Sequence, residues 1–263
     1  MALTLSALYR YPVKSCHGDA LTQAAVSPFG LPFDRHWMLA TAAGRMVTGR
    51  DLPRIVLLHA APDDTGVTLT APGMPPLRVE TTSLAECAPA SVWRDDFPAL
   101  TGNAEADAWV SEFLGEPLRL FYIGATSARR VRNRPDNPLT FADGFPLLLA
   151  TTESLDTLSG WVGRPMDMAR FRPNLVVSGA EAFAEDHWQR LRIGDVEFAL
   201  VKPCERCVFT TVDPHSGEKS LDQEPLRALG KHRKTEAGVL FGVNVIAEGS
   251  GEISVGMPVE VIA

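Results

Sequence analysis

The stretch Val201-Lys202-Pro203-Cys204-Glu205-Arg206-Cys207-Val208-Phe209-Thr210-Thr211-Val212-Asp213-Pro214 decides how the chain is read. It sets two thiols three residues apart, between an apolar strand-forming run and a β-branched one, so both fall where an ordered element meets a turn. A Cys-x-x-Cys pair serves a structural zinc when further N/S ligands complete four, but the remaining cysteines, Cys16 and Cys87, are single and distant. It serves thioredoxin-like exchange when it opens a helix whose N-terminus lowers a thiol pKa. Here Val208 to Val212 reads as strand and Pro214 follows, which argues against a helix. A third use is a single thiolate ligating a soft-tolerant metal centre, with Lys202 and Arg206 near an anionic cofactor. A fourth is two buried cysteines packing as small apolar side chains.

Working outward, Leu191-Arg192-Ile193 and Val196-Glu197-Phe198 are joined by Gly194-Asp195, a hairpin that delivers the chain to Cys204. Beyond the cysteines, Pro214 to Gly217 is a turn, Pro225 opens a short helix through Lys231, and Val239 to Ala247 and Val259 to Ile262 close with strands. The N-terminal part reads as a succession of strands: Leu5 to Tyr9, Trp37 to Thr41, Arg45 to Thr48, Ile55 to Ala60, Gly66 to Thr70, Leu77 to Thr81 and Ser91 to Arg94. Asn103 then caps a helix whose Trp109, Val110, Phe113 and Leu114 share one face, and Gly115 ends it. After a strand from Leu118 to Ile123 comes Arg129-Arg130-Val131-Arg132-Asn133-Arg134-Pro135-Asp136-Asn137-Pro138. This proline-bounded basic loop reads either as solvated surface or as a flap or docking site beside an anionic ligand. Leu147 to Ala150 is an apolar run, Thr151 or Thr152 caps a second helix through Val162, and Phe171-Arg172-Pro173-Asn174 precedes a strand from Leu175 to Ser178. The fold class expected is therefore mostly β with a few helices, α+β.

With 263 residues the chain is ample for a substantial core, and its formal net charge of -7 argues against a general binder of nucleic acid or acidic membranes. Arginine greatly outnumbers lysine, which suits anion sites, as high-GC codon usage also would. No run has a membrane-spanning length, the start lacks a signal-peptide n-region, and four cysteines form no disulfide framework, so a cytoplasmic setting is expected. The six histidines show no metal-ligand spacing and read as surface or structural. No dinucleotide, Walker A or G-x-S-x-G motif occurs.

In order along the chain, Tyr11-Pro12-Val13-Lys14-Ser15, Phe33-Asp34-Arg35, Phe141-Ala142-Asp143-Gly144, Phe171 to Gly179 and Lys202 to Thr211 together resemble the MOSC family, specifically its molybdenum-containing amidoxime-reductase branch. The resemblance covers nearly the whole chain. It implies an N-terminal MOSC β-barrel portion over residues 1–100, packed on a C-terminal MOSC β-barrel catalytic domain over residues 101–263. It further implies a pyranopterin molybdenum cofactor with Cys207 as the protein ligand to the metal and Cys204 a neighbour in the cofactor-contacting loop with Glu205 and Arg206. By the same resemblance Lys14, Ser15 and Arg35 hold the cofactor's phosphate end, while Asp143, Arg172 and Asn174 make pterin or metal-proximal contacts. Asp143 and Cys207 are then the catalytic residues. A departure from the pattern of that branch falls at Asn244, a position where its mitochondrial members are expected to carry an aromatic residue near the cofactor.

The residue types agree with this reading. A phosphate in a net-negative protein needs local cations, and Lys14, Ser15 and Arg35 offer a point charge, a hydroxyl and a planar fork. Read singly, Arg172 is as well explained by an ion pair with Asp167 or Asp143, and Asp143 by a turn before Gly144. The activity implied is an oxidoreductase that abstracts oxygen from N-hydroxylated small molecules, such as amidoximes, hydroxylamines and N-hydroxylated base analogues. No cysteine follows Cys207, so a separate ferredoxin or flavoprotein reductase is the electron donor expected. The alternative is a sulfur or molybdenum-cofactor carrier using a Cys207 persulfide, since MOSC domains also occur fused to sulfurases that use pyridoxal phosphate. No pyridoxal-binding lysine motif is present for that version.

Overall fold

A computed structural model describes residues 2–263. Its main sheet has nine strands, in the order Asp19–Leu21, Thr4–Arg10, Leu175–Ser178, Leu147–Thr151, Gly238–Ala247, Val196–Glu205, Arg190–Ile193 and Val259–Val261, with Lys234–Thr235 paired to Gly238–Ala247. A four-stranded sheet runs Trp37–Ala40, Arg119–Tyr122, Asp95–Thr101 and Glu86–Val92, and His59–Asp63, Gly66–Thr70 and Leu77–Glu80 form a three-stranded meander. Three α-helices span Ala104–Leu114, Thr152–Val162 and Leu226–His232, so the class is mostly β with a few helices, as expected.

Local chemistry accounts for the helix ends. Asn103 Oδ1 accepts from the Ala106 N–H at 2.8 Å, and Gly115, at φ 74°, closes the first helix in the left-handed conformation. Trp109, Val110, Phe113 and Leu114 bury the face anticipated from their spacing, in a core shared with Ile55, Leu69, Val79 and Leu120. Thr151 caps the second helix, which links Leu147–Thr151 to its parallel neighbour Leu175–Ser178 as a crossover. A separate apolar core of Leu149, Leu175, Val177, Leu191, Phe198 and Val245 fills the main sheet.

One pairing places the functional residues. Thr4–Arg10 runs antiparallel to Leu175–Ser178, with Leu8 opposite Leu175, and the Tyr9 N–H donates to the Asn174 carbonyl at 2.9 Å. The chain leaving Arg10 therefore passes directly beside Asn174 and Arg172. Val196–Glu205 pairs with Gly238–Ala247 but slips register twice, between Leu200 and Lys202 and between Pro203 and Glu205. Such bulges bend and twist the strand end, here the end that carries the cysteines.

Several expectations fail locally. Ile55 to Ala60 is not one strand: Pro53–Leu57 is a 3₁₀ turn and the strand begins at His59. Pro53, with its fixed φ and no N–H, suits the first helical position, and the turn buries Ile55 and Val56. Arg45 to Thr48 makes only single bridges, Met46 to Ala40 and Arg45 to Ser91. Ser91 to Arg94 straddles a turn, because Glu86–Val92 and Asp95–Thr101 form a hairpin around Trp93 and Arg94. The basic loop is a short hairpin, Arg130–Val131 with Arg134–Pro138, turning at Asn133 with φ 63°. Val208–Thr211 is 3₁₀ rather than strand. There the Thr210 and Thr211 hydroxyls donate to the carbonyls of Cys207 and Val208 at 3.0 and 2.8 Å, and that local bonding overrides β-branched propensity.

Candidate active site

Lys14, Ser15, Arg35, Asp143, Arg172, Asn174, Cys204, Glu205, Arg206, Cys207 and Asn244 all line one cleft of about 160 Å³. Sequence separations of up to 230 residues are thus collapsed into a single site. Thr48, Arg50, Trp93, Arg170 and Phe209, which sequence reasoning did not single out, add to its wall.

The deep end is a closed polar joint. Asn174 is fully buried and uses its whole amide: Nδ2 donates to Tyr9 O at 3.1 Å and Asp34 Oδ1 at 3.0 Å, while Oδ1 accepts from Arg35 Nη1 at 3.0 Å and the Leu148 N–H at 3.2 Å. Arg35 also donates to Asp34 at 2.5 Å and to the Arg172 carbonyl at 3.2 Å. Its guanidinium lies 4.4 Å from the Tyr11 ring centroid, and that of Arg172 lies 4.1 Å from the same ring. Arg172 pairs with neither Asp167 nor Asp143; its Nη1 donates to the Cys16 carbonyl at 2.5 Å and its buried Nη2 has no partner. Burial and then the like charge of Arg35 pull its pKa down to about 10. An anion placed here would offset both costs through its charge and hydrogen bonds.

Lys14 is buried, and its ammonium donates to the Phe141 carbonyl at 2.8 Å and to Asp143 Oδ1 at 2.6 Å. Burial lowers its pKa, opposed by the Asp143 carboxylate. The Asp143 side chain is exposed to the cleft, and although the chain packed around it would raise its carboxyl, the Lys14 charge, the Lys14 hydrogen bond and the Trp93 indole N–H at 2.8 Å outweigh this and hold it at about 2. Arg129, expected in a solvated loop or flap, is instead buried beneath this segment and donates to the Ala142 carbonyl at 2.6 Å and to Asp95 at 2.9 Å. Its position braces the loop that presents Asp143.

The thiol end is open. Cys207 is exposed and its carbonyl accepts from the Thr210 N–H at 3.1 Å, which sets the thiol at the entry to the 3₁₀ turn. Cys204 is half-buried, with Arg206 Nη1 2.9 Å from its sulfur, and Arg206 Nη2 donates to the Phe171 carbonyl at 2.7 Å. Glu205 pairs with Lys202 at 2.7 Å, and Asn244 Nδ2 donates to the Lys202 carbonyl at 3.1 Å, tying the two strands together at the rim. Gly49 allows the loop carrying Thr48 and Arg50 to lie against this turn, since a Cβ there would come within 2.0 Å of the Phe209 ring. Cys16 is buried behind the cleft and Cys87 is exposed on the strand Glu86–Val92. Among the described residues, no group of three or more His, Cys, Asp or Glu side chains could hold a metal ion.

Two properties single out the cleft. It is lined by six cations, Lys14, Arg35, Arg50, Arg170, Arg172 and Arg206, against two carboxylates, Asp143 and Glu205, an excess of four positive charges in a chain of net charge -7. Four of its residues, Ser15, Arg35, Trp93 and Arg172, also hold left-handed backbone, with φ between 53° and 66°. Non-glycine residues adopt that region at a cost, and they persist there where the surrounding structure enforces it.

Comparison with known proteins agrees with this architecture. Residues 2–117 match the MOSC N-terminal beta barrel domain and residues 136–260 match the MOSC domain. The chain is 33% identical over 280 residues to mitochondrial amidoxime-reducing component 1 of Homo sapiens, covering 97% of this chain and 82% of that protein. It is 34% identical, with the same coverage, to mitochondrial amidoxime reducing component 2 of Homo sapiens. The crystal structure of the YUAD protein from Bacillus subtilis aligns over 99% of this chain and 95% of that one, at 13% identity and a TM-score of 0.48. The chain belongs to the family of two-part MOSC proteins that contains the amidoxime-reducing components. No helix of the described residues is long and apolar enough to cross a membrane.

Proposed function

We propose that this protein is a molybdenum-cofactor-dependent oxidoreductase that reduces N-hydroxylated compounds: amidoximes, hydroxylamines and N-hydroxylated base analogues. The observation that carries the reading is the cleft itself, cation-lined in an acidic chain, with the exposed Cys207 thiol on its wall. The names of the human relatives supply the substrate class.

The residues present fit such a cofactor. The unpartnered Arg172 Nη2 and the stacked guanidiniums of Arg35 and Arg172 are chemistry for a phosphate, and Cys207 offers one thiolate to a metal. When bound, the cofactor supplies two-electron, oxygen-accepting chemistry at molybdenum. Everything else falls to the chain. Arg35, Arg172 and Ser15 bind the anionic end, and Lys14, held by the Phe141 carbonyl and Asp143, fixes that carboxylate beside it. Asn174 works through Arg35: all of its hydrogen bonds go to protein, so it positions that guanidinium rather than reaching into the cleft. Asp143 stays ionised at neutral pH and accepts hydrogen bonds from a pterin or substrate N–H. Arg206 restrains Cys204 and leaves Cys207 free to ligate, while Glu205 and Asn244 hold the rim.

Reduction of an N–OH group to N–H consumes two electrons and two protons and releases water. A separate ferredoxin or flavoprotein reductase supplies the electrons, and a cytoplasmic setting is part of the proposal. Metal analysis and reduction of benzamidoxime with an artificial donor test the reading. Stoichiometric molybdenum with turnover is the expected result, and an active preparation that is metal-free or loaded with zinc would overturn it.

A further inference from the structure

Trp93 stands apart from the rest of the cleft wall. It sits in the two-residue turn between Glu86–Val92 and Asp95–Thr101 with φ 59°, a position where hairpins usually carry glycine or asparagine. A bulky side chain with left-handed backbone is uncommon enough to need a reason. The residue is also 52% exposed, whereas Trp37 and Trp109 are buried and Trp161 and Trp188 half-buried. Yet the ring is not loose. Its indole N–H donates to Asp143 Oδ1 at 2.8 Å, and the Arg50 guanidinium lies over it, 4.1 Å from the centroid. Arg50 is itself tied to the Thr48 hydroxyl at 3.3 Å. One face of the indole is thus covered by a cation and its edge is pinned to a carboxylate, while among the described residues no aromatic ring stacks on it. What remains is a fixed aromatic face on the wall that also carries Cys207.

We infer that Trp93, backed by Arg50, is the stacking platform of a substrate subsite that takes planar aromatic N-hydroxylated compounds in preference to aliphatic ones of the same size. The substrate class rests on the function proposed above; the ring-binding subsite does not. A flat ring gains dispersion and quadrupole contact with a preoriented indole that a puckered ring of equal volume cannot match, and a ring held by Arg50 and Asp143 loses little freedom on binding.

The test uses two probes of equal charge and similar size, benzamidine and cyclohexanecarboxamidine, titrated into cofactor-loaded protein by calorimetry. Wild type is expected to prefer benzamidine by roughly tenfold, the scale of one ring-on-aromatic stack. Trp93→Asn, which suits left-handed backbone and so does not threaten the turn, should bring the ratio near one, and Trp93→Phe should keep most of it. An equal ratio in wild type and Trp93→Asn overturns the subsite. So does a Trp93→Phe variant as damaged as Trp93→Asn, because the indole N–H to Asp143 would then be the operative feature. Wild type that shows the planar preference but reduces neither benzamidoxime nor cyclohexanecarboxamidoxime would keep the ring subsite and overturn its substrate class.

Discussion

The two ends of the cleft are built on opposite plans. At the deep end, Asn174 has no exposed surface and four hydrogen bonds to protein, and Arg35 and Arg172 are stacked against Tyr11. At the thiol end, Cys207 is exposed, and the strand that leads to it slips register twice before the chain turns. The difference teaches a division of labour. Folding completes the deep end and orients its cations in advance, whereas the thiol end leaves the Cys207 sulfur exposed, as the proposed metal ligation requires.

The sharpest way to break this comparison is at the sulfurs. Cys207→Ser is expected to abolish molybdenum retention and benzamidoxime reduction, and Cys204→Ser to be far milder in both, as read by metal content and initial rate. Equal losses would remove the distinction between ligand and neighbour. The deep end should respond in stability instead. Asn174→Leu takes their side-chain partner from Tyr9 O, the Leu148 N–H and one Arg35 N–H in a buried site and leaves Asp34 Oδ1 with the Tyr11 N–H alone, and a cost of about 2–4 kcal/mol is expected in urea unfolding. A change within error would mean that the joint is dispensable.

Arg172→Gln probes the boundary between the two plans. Its guanidinium makes one protein hydrogen bond and leaves Nη2 unpartnered, so its loss should cost little stability but should weaken cofactor retention roughly tenfold or more, measured as molybdenum lost on dialysis. The smallest expected effect is in acid. The Asp143 carboxyl is depressed from 3.8 to about 2, so its ion pair with Lys14 contributes stability that is complete above pH 3.8 and is lost as pH falls toward 2. The difference in unfolding midpoint between wild type and Asp143→Asn should therefore be constant at higher pH and shrink across that window. A difference that holds unchanged down to pH 2 would contradict the assignment of the pair.

Much of the local structure was legible before any coordinates. Asn103 and Gly115 bracket a helix with the anticipated buried face, Thr151 caps the second helix, and Gly194-Asp195 turns the hairpin leading to the cysteines, because caps, turn residues and side-chain periodicity act over a few residues. The failures were equally physical. Val208–Thr211 coils because threonine hydroxyls find carbonyls three residues back, and Pro53 starts a 3₁₀ turn inside an apparent strand. Trp93 was hidden in an apparent strand whose turn shows only once its hairpin partner is known, and Arg129 in a charge cluster whose burial depends on Asp95 and the Ala142 carbonyl.

The sequence by itself determined the predominance of strands, the helix ends, the family motifs and the residues that would matter if those motifs met. Only the tertiary structure decided that they do meet. The pairing of Thr4–Arg10 with Leu175–Ser178 brings Lys14 and Ser15 beside Arg172 and Asn174, and strand neighbours so far apart in sequence leave no local signature. It also decided the sign of the site, since an acidic chain became locally cationic only when six dispersed basic side chains converged on one cleft.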